Sequence, residues 1–505
     1  MFSKIAAYIK GHETVPGEAR LLRKLDAVIL SFCCLCYFVN YLDRTNLNNA
    51  YVSGMREELN FQGNQLNQIN TIFTVGYIVG QVPSNLALTF VSPRLFFPAV
   101  MIIWGGLTMI TAAVSNPQGI MAIRFFLGLA ESSTFVGTHY ILGSWYTEKE
   151  LGKRSGIFTA SGLAGMRLTS PSVLLEEKRS NPRPRNDVWR VHPDGDPFLH
   201  GRNARAVWME VVVYRKLRPL PVRVSKLTKQ IDGLITIPIA IYGFIVFPDT
   251  PTTTKARYLT AEEKALAVAR IPESGAVKVP LDWAFLKSVF LHWYWWAFVM
   301  LWIIAGETES FSTNALLALY LQSHPTNSYT VSQLNNYPTG IPAVGIVSTL
   351  FWATLTDFMG GRRYLVGYFI AITGFITSAM ILACFDSTAT VMGAYYWAGA
   401  VYACQATFFA WCNDAMRYKD ERLRSVVIAS MNMGSNAVNA WWSIIFYSAD
   451  MAPRFTKGMW AMIGVSIALA FWTMGITVLM VQEQKKQTER DVRIMDLHLQ
   501  EKDVS

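Results

Sequence analysis

The chain has 505 residues, of which 52% are apolar, 13% aromatic and 16% charged. This composition excludes an average soluble protein and is typical of a helical membrane protein. The formal net charge is +10, but residues 166–230 alone contain fourteen Lys or Arg and six Asp or Glu, a net charge of +8. Because one segment carries most of the positive charge, the basic composition does not indicate a nucleic-acid partner.

Apolar stretches of about 20 residues recur along the chain, and each is long enough to cross the hydrocarbon core of a bilayer. They predict an all-α polytopic membrane protein whose environment is the lipid bilayer. The six cysteines lie in or beside these stretches without the spacing of a zinc site, so no metal and no cofactor are expected. The predicted spans are 26–48, 68–90, 95–115, 119–143, 231–248, 288–322, 334–356, 364–385, 390–412, 425–447 and 458–481.

Lys and Arg are concentrated in alternate loops. They precede the first span and follow the fourth, whereas the loops 116–118, 323–333 and 386–389 contain none. Because short basic loops stay on the cytoplasmic side, both the N-terminal tail (1–25) and the C-terminal tail (482–505) are predicted to be cytoplasmic.

Two spans carry charge within an apolar stretch: Asp43 and Arg44 in the first, and Arg124 and Glu131 in the fourth. A charge at mid-bilayer costs roughly 2.5–3.5 kcal/mol on insertion scales, so such residues usually face a wet cavity or each other. Arg124 and Glu131 are two helical turns apart and share one face. We interpret the four residues as an internal site for a charged solute and a proton. The alternative is a pair of structural ion pairs that hold helices together.

The character of the chain changes at residues 166–230, which hold seven of the 21 prolines. A fifth span begins plausibly at Ser155 but stops after about eleven residues, too few to cross the bilayer. The segment is either a disordered basic insertion that replaces a helix or a mistranslated stretch from a gene-prediction error. Taken literally, such a chain is not expected to transport.

A hydrophilic linker at 249–287 separates an N-terminal bundle (26–248) from a C-terminal bundle (288–481). Thr260, followed by Glu263, is placed to cap a short helix in this linker. Two apolar bundles joined by a polar linker indicate a two-fold transporter whose halves rock around a central site.

In the second bundle, the polar run 306–314 interrupts a long apolar stretch. It predicts a discontinuous helix at the cavity, with Glu307, Glu309 and Asn314 as substrate-binding residues. The alternative is a helix that simply ends at the outer surface near Glu307.

The loop 357–363 contains Asp357, Arg362 and Arg363 around two glycines. Such a loop could latch neighbouring helix ends on the cytoplasmic side, and a solvated loop is the alternative. Three polar residues inside spans are interpreted as packing groups: Gln405 and Asn413 as hydrogen-bonding links between helices, and His139 as a packed, hydrogen-bonded imidazole rather than a proton relay.

Five motifs together carry a family resemblance: Asn40–Asn46, Gly76–Pro83, Arg124–Phe126, Gly143–Tyr146 and Phe247–Pro251. With these motifs the chain resembles the major facilitator superfamily, and within it the fungal branch of anion:cation symporters, which includes allantoate, nicotinate, biotin and pantothenate permeases. The resemblance covers most of 20–165 and 231–480. The runs 48–54 and 135–140 are most similar to fungal pantothenate permeases.

The resemblance implies two six-helix bundles with the fifth span disrupted. It also implies that Asp43 and Glu131 couple transport to protons, and that Arg44 and Arg124 bind an organic anion. The family pattern resumes at Ile231–Gly233, which favours the gene-prediction error over a natural insertion at 166–230.

We therefore expect a proton-coupled transporter of a small organic anion, with pantothenate as the first candidate, in the plasma membrane and as a monomer. Another carboxylate, such as allantoate, nicotinate or biotin, is an alternative substrate. A non-transporting nutrient sensor is the alternative function. An enzyme is not expected, because the sequence contains no nucleophile–base set, phosphate loop or metal cluster.

Overall fold

The computed structural model describes residues 17–50, 65–111, 113–114, 116–168, 219–270, 283–311, 314–323, 329–447 and 451–504. These residues form helices and turns, with no strand among them. Most of the aberrant segment predicted at 166–230, namely 169–218, lies outside the described residues.

Eight α-helices are described before the linker. A π-helical turn, Asp26–Leu30, joins the first two. They are α1 (Glu18–Leu25), α2 (Ser31–Ala50), α3 (Gln65–Phe90), α4 (Pro93–Thr111), α5 (Pro117–Glu131), α6 (Thr134–Trp145), α7 (Glu148–Leu168) and α8 (Pro219–Val246).

The linker contains α9 (Ala261–Ala269). The helices after it are α10 (Trp283–Leu291), α11 (Trp293–Phe311), α12 (Asn314–Ser323), α13 (Val331–Asn336), α14 (Gly340–Phe358), α15 (Tyr364–Ala383), α16 (Thr388–Ala398), α17 (Ala403–Ala415), α18 (Glu421–Phe446) and α19 (Thr456–Val504), with 3₁₀ turns at Tyr337–Thr339 and Gly399–Tyr402.

Helices on each side of the linker pack mainly among themselves. In the first bundle α3 packs on α5, α4 on α8 and α2 on α7. In the second, α11 packs on α18, α15 on α19 and α14 on α17. The bundles meet where α7 contacts α14 and where α3 contacts α18. The interface between the bundles is therefore formed by two helix pairs, and each pair contains one helix from each half of the chain.

A close approach between α3 and α5 positions several charged side chains. Gly128 sits where an added Cβ would collide with the backbone carbonyl oxygen of Phe73. Only a glycine allows this distance, and it brings Phe73 and Tyr77 against the helix that carries Arg124 and Glu131.

Six helical stretches in the described part are long and apolar enough to span a membrane, or seven if the bent pair α10–α11 counts as one span. Large apolar side chains on the outer faces, such as Ile245, Val347 and Ile444, are about 70% exposed, as expected for lipid contacts. The six stretches are Glu18–Arg44, Pro93–Thr111, Pro117–Trp145, Tyr337–Phe358, Tyr364–Ala383 and Thr456–Lys486.

The helix that contains the expected fifth span, α7, begins at Glu148 and has 21 residues, about 31 Å at 1.5 Å per residue. It is not among the six stretches that are long and apolar enough to span a membrane, because its first turns are charged. Its charged first turns resemble a loop in the sequence but are helical because their charges are paired: Arg154 Nε lies 2.6 Å from Asp26 Oδ1, and Glu150 pairs with Arg270. Helix α8 likewise begins at Pro219, twelve residues before the expected start of its span.

The linker helix α9 is docked on the first bundle. Thr260 caps it in a complete capping box with Glu263, which confirms the sequence prediction. Lys24 Nζ lies 2.7 Å from Glu263 Oε2, and Arg270 Nε lies 2.7 Å from Glu18 Oε1. We refer to this side of the molecule, where residues 249–270 lie, as the linker end.

Candidate functional site

A cavity of about 140 Å³ lies between the two bundles. This is small beside the roughly 300–1,000 Å³ of pockets for drug-sized ligands, so it suits a small solute. The first bundle contributes Tyr37, Tyr41, Arg44, Tyr77 and Phe135, and the second contributes Trp302, Gly306, Glu309, Gln405, Asn432, Ser435, Asn436 and Asn439.

Arg44 is the cationic group of the cavity wall, and it is paired with Glu131. Its Nε donates to Glu131 Oε2 at 2.8 Å, and the Glu131 side chain is fully buried. The guanidinium carbon lies 4.6 Å from the centroid of the Tyr77 ring and 5.3 Å from that of Phe73. The two aromatic faces and the carboxylate fix the orientation of the guanidinium.

Asp43 and Arg124 are buried nearby but do not line the cavity. Asp43 is 3% exposed and Arg124 is 6% exposed. The Arg124 guanidinium carbon lies 5.7 Å from the centroid of the Phe73 ring, and Arg124 is within electrostatic range of Asp43 and Glu131. Among these four residues, Arg44 of α2 and Glu131 of α5 form an ion pair.

On the opposite wall, Glu309 of α11 lines the cavity as predicted. Its Oε2 accepts a hydrogen bond from Gln405 Nε2 at 2.8 Å, and its Oε1 accepts one from Cys404 Sγ at 3.1 Å. Gln405 therefore lines the cavity too, which the interpretation of this residue as a link between helices did not foresee.

The other two predicted residues of this region lie elsewhere. Glu307 is 2% exposed, is not part of the cavity wall, and accepts a hydrogen bond from Ser310. Helix α11 continues through Gly306 and ends at Phe311, and α12 begins at Asn314, so one described helix ends and the next begins within the run 306–314. Asn314 begins α12, and its side chain lies outside the described part of the structure.

Sequence reasoning missed a polar stripe on α18: Asn432, Ser435, Asn436 and Asn439 all line the cavity. Their spacing of three and four residues places them on one helical face. That periodicity was available in the sequence, although uncharged amides in a span stand out less than charges do.

Aromatic rings close the cavity towards the linker end. The Phe135 ring of α6 lies 4.9 Å from the Phe409 ring of α17, and the His139 ring stacks on Phe409 at 4.8 Å. Asn413 Nδ2 donates to the backbone oxygen of His139 at 3.2 Å. The Asn413 contact fits its expected role as a link between helices. The His139 ring is packed as expected, but neither of its nitrogens has a hydrogen-bond partner within the described residues, which corrects the expectation of a hydrogen-bonded imidazole.

At the linker end a buried charge network joins the bundles. Arg363 is fully buried; its Nη1 lies 3.1 Å from Asp357 Oδ1 and its Nε 2.6 Å from Asp414 Oδ2. Asp357 also accepts hydrogen bonds from the backbone N–H groups of Gly152 and Lys153 on α7.

The turn that presents these side chains depends on glycine. Gly360 and Gly361 have φ angles of 75° and 80°, which other residues rarely adopt. The predicted latch thus contains Asp357 and Arg363, but not Arg362, which is exposed at the surface. Adjacent residues in this turn point in different directions, so only one of the two arginines reaches the network.

Comparison with known proteins identifies the family. The sequence model of the Major Facilitator Superfamily matches residues 33–174. The chain is 38% identical to the pantothenate transporter liz1 of Schizosaccharomyces pombe over 481 residues, which cover 95% of this chain and 86% of that protein. The protein belongs to the Major Facilitator Superfamily. It is also 40% identical to the pantothenate transporter FEN2 of Saccharomyces cerevisiae, over 92% of this chain and 85% of that one.

Solved structures show the same fold for this major facilitator protein. FucP in the outward conformation has a TM-score of 0.60 at 12% identity, covering 88% of this chain and 98% of that one. The human organic anion transporter MFSD10 has a TM-score of 0.56 at 10% identity, with coverage of 88% and 98%. The family and these relatives make the protein a multi-pass membrane transporter of a small molecule.

Proposed function

We propose that the protein is a proton-coupled symporter that takes up pantothenate across the plasma membrane. The Arg44–Glu131 ion pair at the cavity wall carries the proposal. Two relatives that are 38% and 40% identical over most of the chain are named pantothenate transporters, which supports this choice of substrate. A carboxylate, an amide and two hydroxyl groups make pantothenate a small polar monoanion.

The substrate carboxylate binds Arg44. A guanidinium is always charged and offers donors in a fixed fork, so it grips a carboxylate through parallel hydrogen bonds. The Nε of Arg44 donates to Glu131, and the Arg44 side chain is part of the cavity wall. An incoming anion competes with Glu131 for the same positive charge.

Charge balance then couples the anion to a proton. The empty pair carries no net charge, because Arg44 is positive and Glu131 negative. An anion alone would leave a net charge of −1 in a closed, low-dielectric cavity, and a proton alone would leave +1. Both are costly to bury. One anion on Arg44 together with one proton on Glu131 keeps the pair and its ligands at zero net charge and leaves the charge of the rest of the cavity unchanged, so the two cross together.

The other buried charges tune this exchange. Arg124 interacts electrostatically with both Glu131 and Asp43. Asp43 can therefore take part in proton coupling although it does not line the cavity. Glu309 contributes polar contacts to the substrate from the opposite wall.

Rocking of the two bundles gives alternating access to the cavity. In the present conformation the Phe135–Phe409 contact and the Asp357–Arg363 network hold the bundles together at the linker end. We propose that this end, with both termini, lies in the cytoplasm, because the basic loops lie there. Opening to the cytoplasm then requires the network to break, and the protein acts as a monomer.

Uptake of labelled pantothenate tests the proposal. The protein that the transcript encodes is expressed in a yeast strain that lacks its own pantothenate uptake, and accumulation is measured with an excess of unlabelled allantoate, nicotinate or biotin. We expect accumulation that only pantothenate suppresses. Suppression by another acid, with direct uptake of that acid, would assign the site to that acid. Binding without any uptake would favour a nutrient sensor.

A further inference from the structure

We propose that the second-bundle wall of the cavity recognises hydroxyl and amide N–H groups, and so selects a hydroxylated monocarboxylate over an unhydroxylated one. We call this surface the acceptor wall and define it as Glu309, Gln405, Ser435, Asn436 and Asn439. The inference rests on the proposed function in taking Arg44 as the group that holds the carboxylate.

The two walls carry opposite chemistry. Among the described residues that line the cavity, Arg44 on the first bundle is the cation and Glu309 on the second is the carboxylate. A substrate carboxylate is attracted to the first and repelled by the second. The charges therefore orient an anion with its acidic end at Arg44 and its other end at the acceptor wall.

Three side-chain amides of the acceptor wall donate hydrogen bonds within the protein. Asn436 Nδ2 donates to the backbone oxygen of Asn432 at 2.7 Å and to its Oδ1 at 3.2 Å, which uses both amide hydrogens. Gln405 Nε2 donates to Glu309, and Asn439 Nδ2 donates to Ser310 Oγ at 3.1 Å.

The acceptors that this wall offers to a solute are the carboxylate of Glu309 and the amide oxygens of Gln405 and Asn436. Each carboxylate oxygen of Glu309 accepts one hydrogen bond from the protein and can accept another. Oxygen acceptors bind O–H and N–H groups, and they are left without partners by a hydrocarbon tail. A site of this kind discriminates strongly against an analogue that lacks the hydroxyl groups.

A bridge ties the acceptor wall to the anion-binding arginine. Asn432 Nδ2 donates to Tyr77 OH at 3.2 Å, and the Tyr77 ring lies beneath the Arg44 guanidinium. The bridge crosses from α18 to α3 and sets the separation of the two walls in the present conformation. A substrate must therefore match both its charge and its length.

The test compares pantothenate with its analogue that lacks both hydroxyl groups, N-(3,3-dimethylbutanoyl)-β-alanine. Inhibition constants against labelled pantothenate uptake are measured for the wild-type chain and for Glu309→Gln and Asn436→Leu. We expect the wild type to bind the analogue at least about 100-fold more weakly than pantothenate. Each variant should reduce this ratio to less than about 10-fold by weakening pantothenate.

Two control variants separate recognition from general damage. Ser430→Ala changes a buried residue of α18 that does not line the cavity, and it should leave the ratio unchanged. Arg44→Gln should weaken both acids by a similar factor and also leave the ratio unchanged. A wild-type ratio near one, or a ratio unaltered in both acceptor-wall variants, would overturn the inference.

The inference and the proposed function fail in different ways. If the wild type takes up no pantothenate, the proposed function is wrong. The inference is then judged by the thermal shifts that gluconate and hexanoate produce in the purified protein. A larger shift with gluconate that is lost in Asn436→Leu supports the inference, and equal shifts contradict it.

Discussion

Arg44 donates a 2.8 Å hydrogen bond to Glu131, which lies 87 residues later in the sequence on another helix. Arg44 lines the central cavity, whereas the Glu131 side chain is fully buried and does not line it. The exposed partner can bind an anion and the hidden partner can take a proton. In the proposed function, this division places the two ions of a symporter on the two ends of one ion pair.

Replacement of Arg44 by lysine should weaken substrate binding although the positive charge is kept. Lysine cannot offer the guanidinium fork or stack in the same way on Tyr77. We expect the KM for uptake to rise by about 10- to 100-fold, which corresponds to about 1.4–2.8 kcal/mol. The matched control is Arg94→Lys, since Arg94 bonds to the backbone oxygen of Phe244 at the surface. An Arg44→Lys variant with an unchanged KM would place the anion elsewhere.

Arg363→Ala should destabilise the protein and shift it away from the conformation with a closed linker end. Removing this guanidinium leaves the buried carboxylate of Asp357 without its partner, and such losses cost about 3–5 kcal/mol. The neighbouring Arg362→Ala is the matched control, because Arg362 is exposed and surface changes stay within about 0.5 kcal/mol. Melting temperatures of both variants in detergent measure the difference. Equal melting temperatures would contradict the role given to the network.

Glu263→Gln should release the linker helix from the first bundle. The hydrogen bond from Lys24, together with the N–H of Thr260, lowers the pKa of Glu263 below its ordinary value. A lowered pKa means that the ionised form stabilises the docked helix above the ordinary pKa, and that this stabilisation is lost as pH falls through the lowered value. Amide hydrogen exchange in Ala261–Ala269 should become faster in the variant. The exposed neighbour Glu262→Gln should leave the exchange unchanged.

The transcript should differ from the sequence at residues 166–230. We expect the cDNA to encode an apolar, glycine-rich continuation of α7, because a basic, proline-rich stretch cannot complete a span. Sequencing across these codons measures this directly, and the transport assays then use the protein that the transcript encodes. A transcript that matches residues 166–230 would make the segment genuine and would favour a sensor.

The charged part of the site could be predicted from the sequence because a charge inside an apolar stretch is conspicuous. Which charges line the cavity could not be predicted. Asp43 and Arg44 are adjacent, and successive helical residues point about 100° apart, so one faces the cavity and the other does not. The rotation of α2 is set by its packing against α7, which no local pattern records.

The polar residues of the second-bundle wall were less predictable from the sequence. Glu309 was predicted from the polar run 306–314, but the same run also implicated Glu307, which is buried behind the wall. Two residues along a helix turn a side chain by about 200°, and only the tertiary structure selects the face. The amide stripe on α18 has a readable period, yet its amides resemble ordinary helix contacts.

The most direct test of symport is the proton flux that accompanies pantothenate in proteoliposomes with a pH-sensitive dye inside. We predict about one proton per pantothenate in the wild type, with a rate that does not depend on an imposed membrane potential. Glu131→Gln should lose pH-driven accumulation but keep counterflow exchange of labelled for unlabelled pantothenate, because the neutral side chain mimics the protonated state. Proton-driven accumulation that survives in Glu131→Gln would contradict the account.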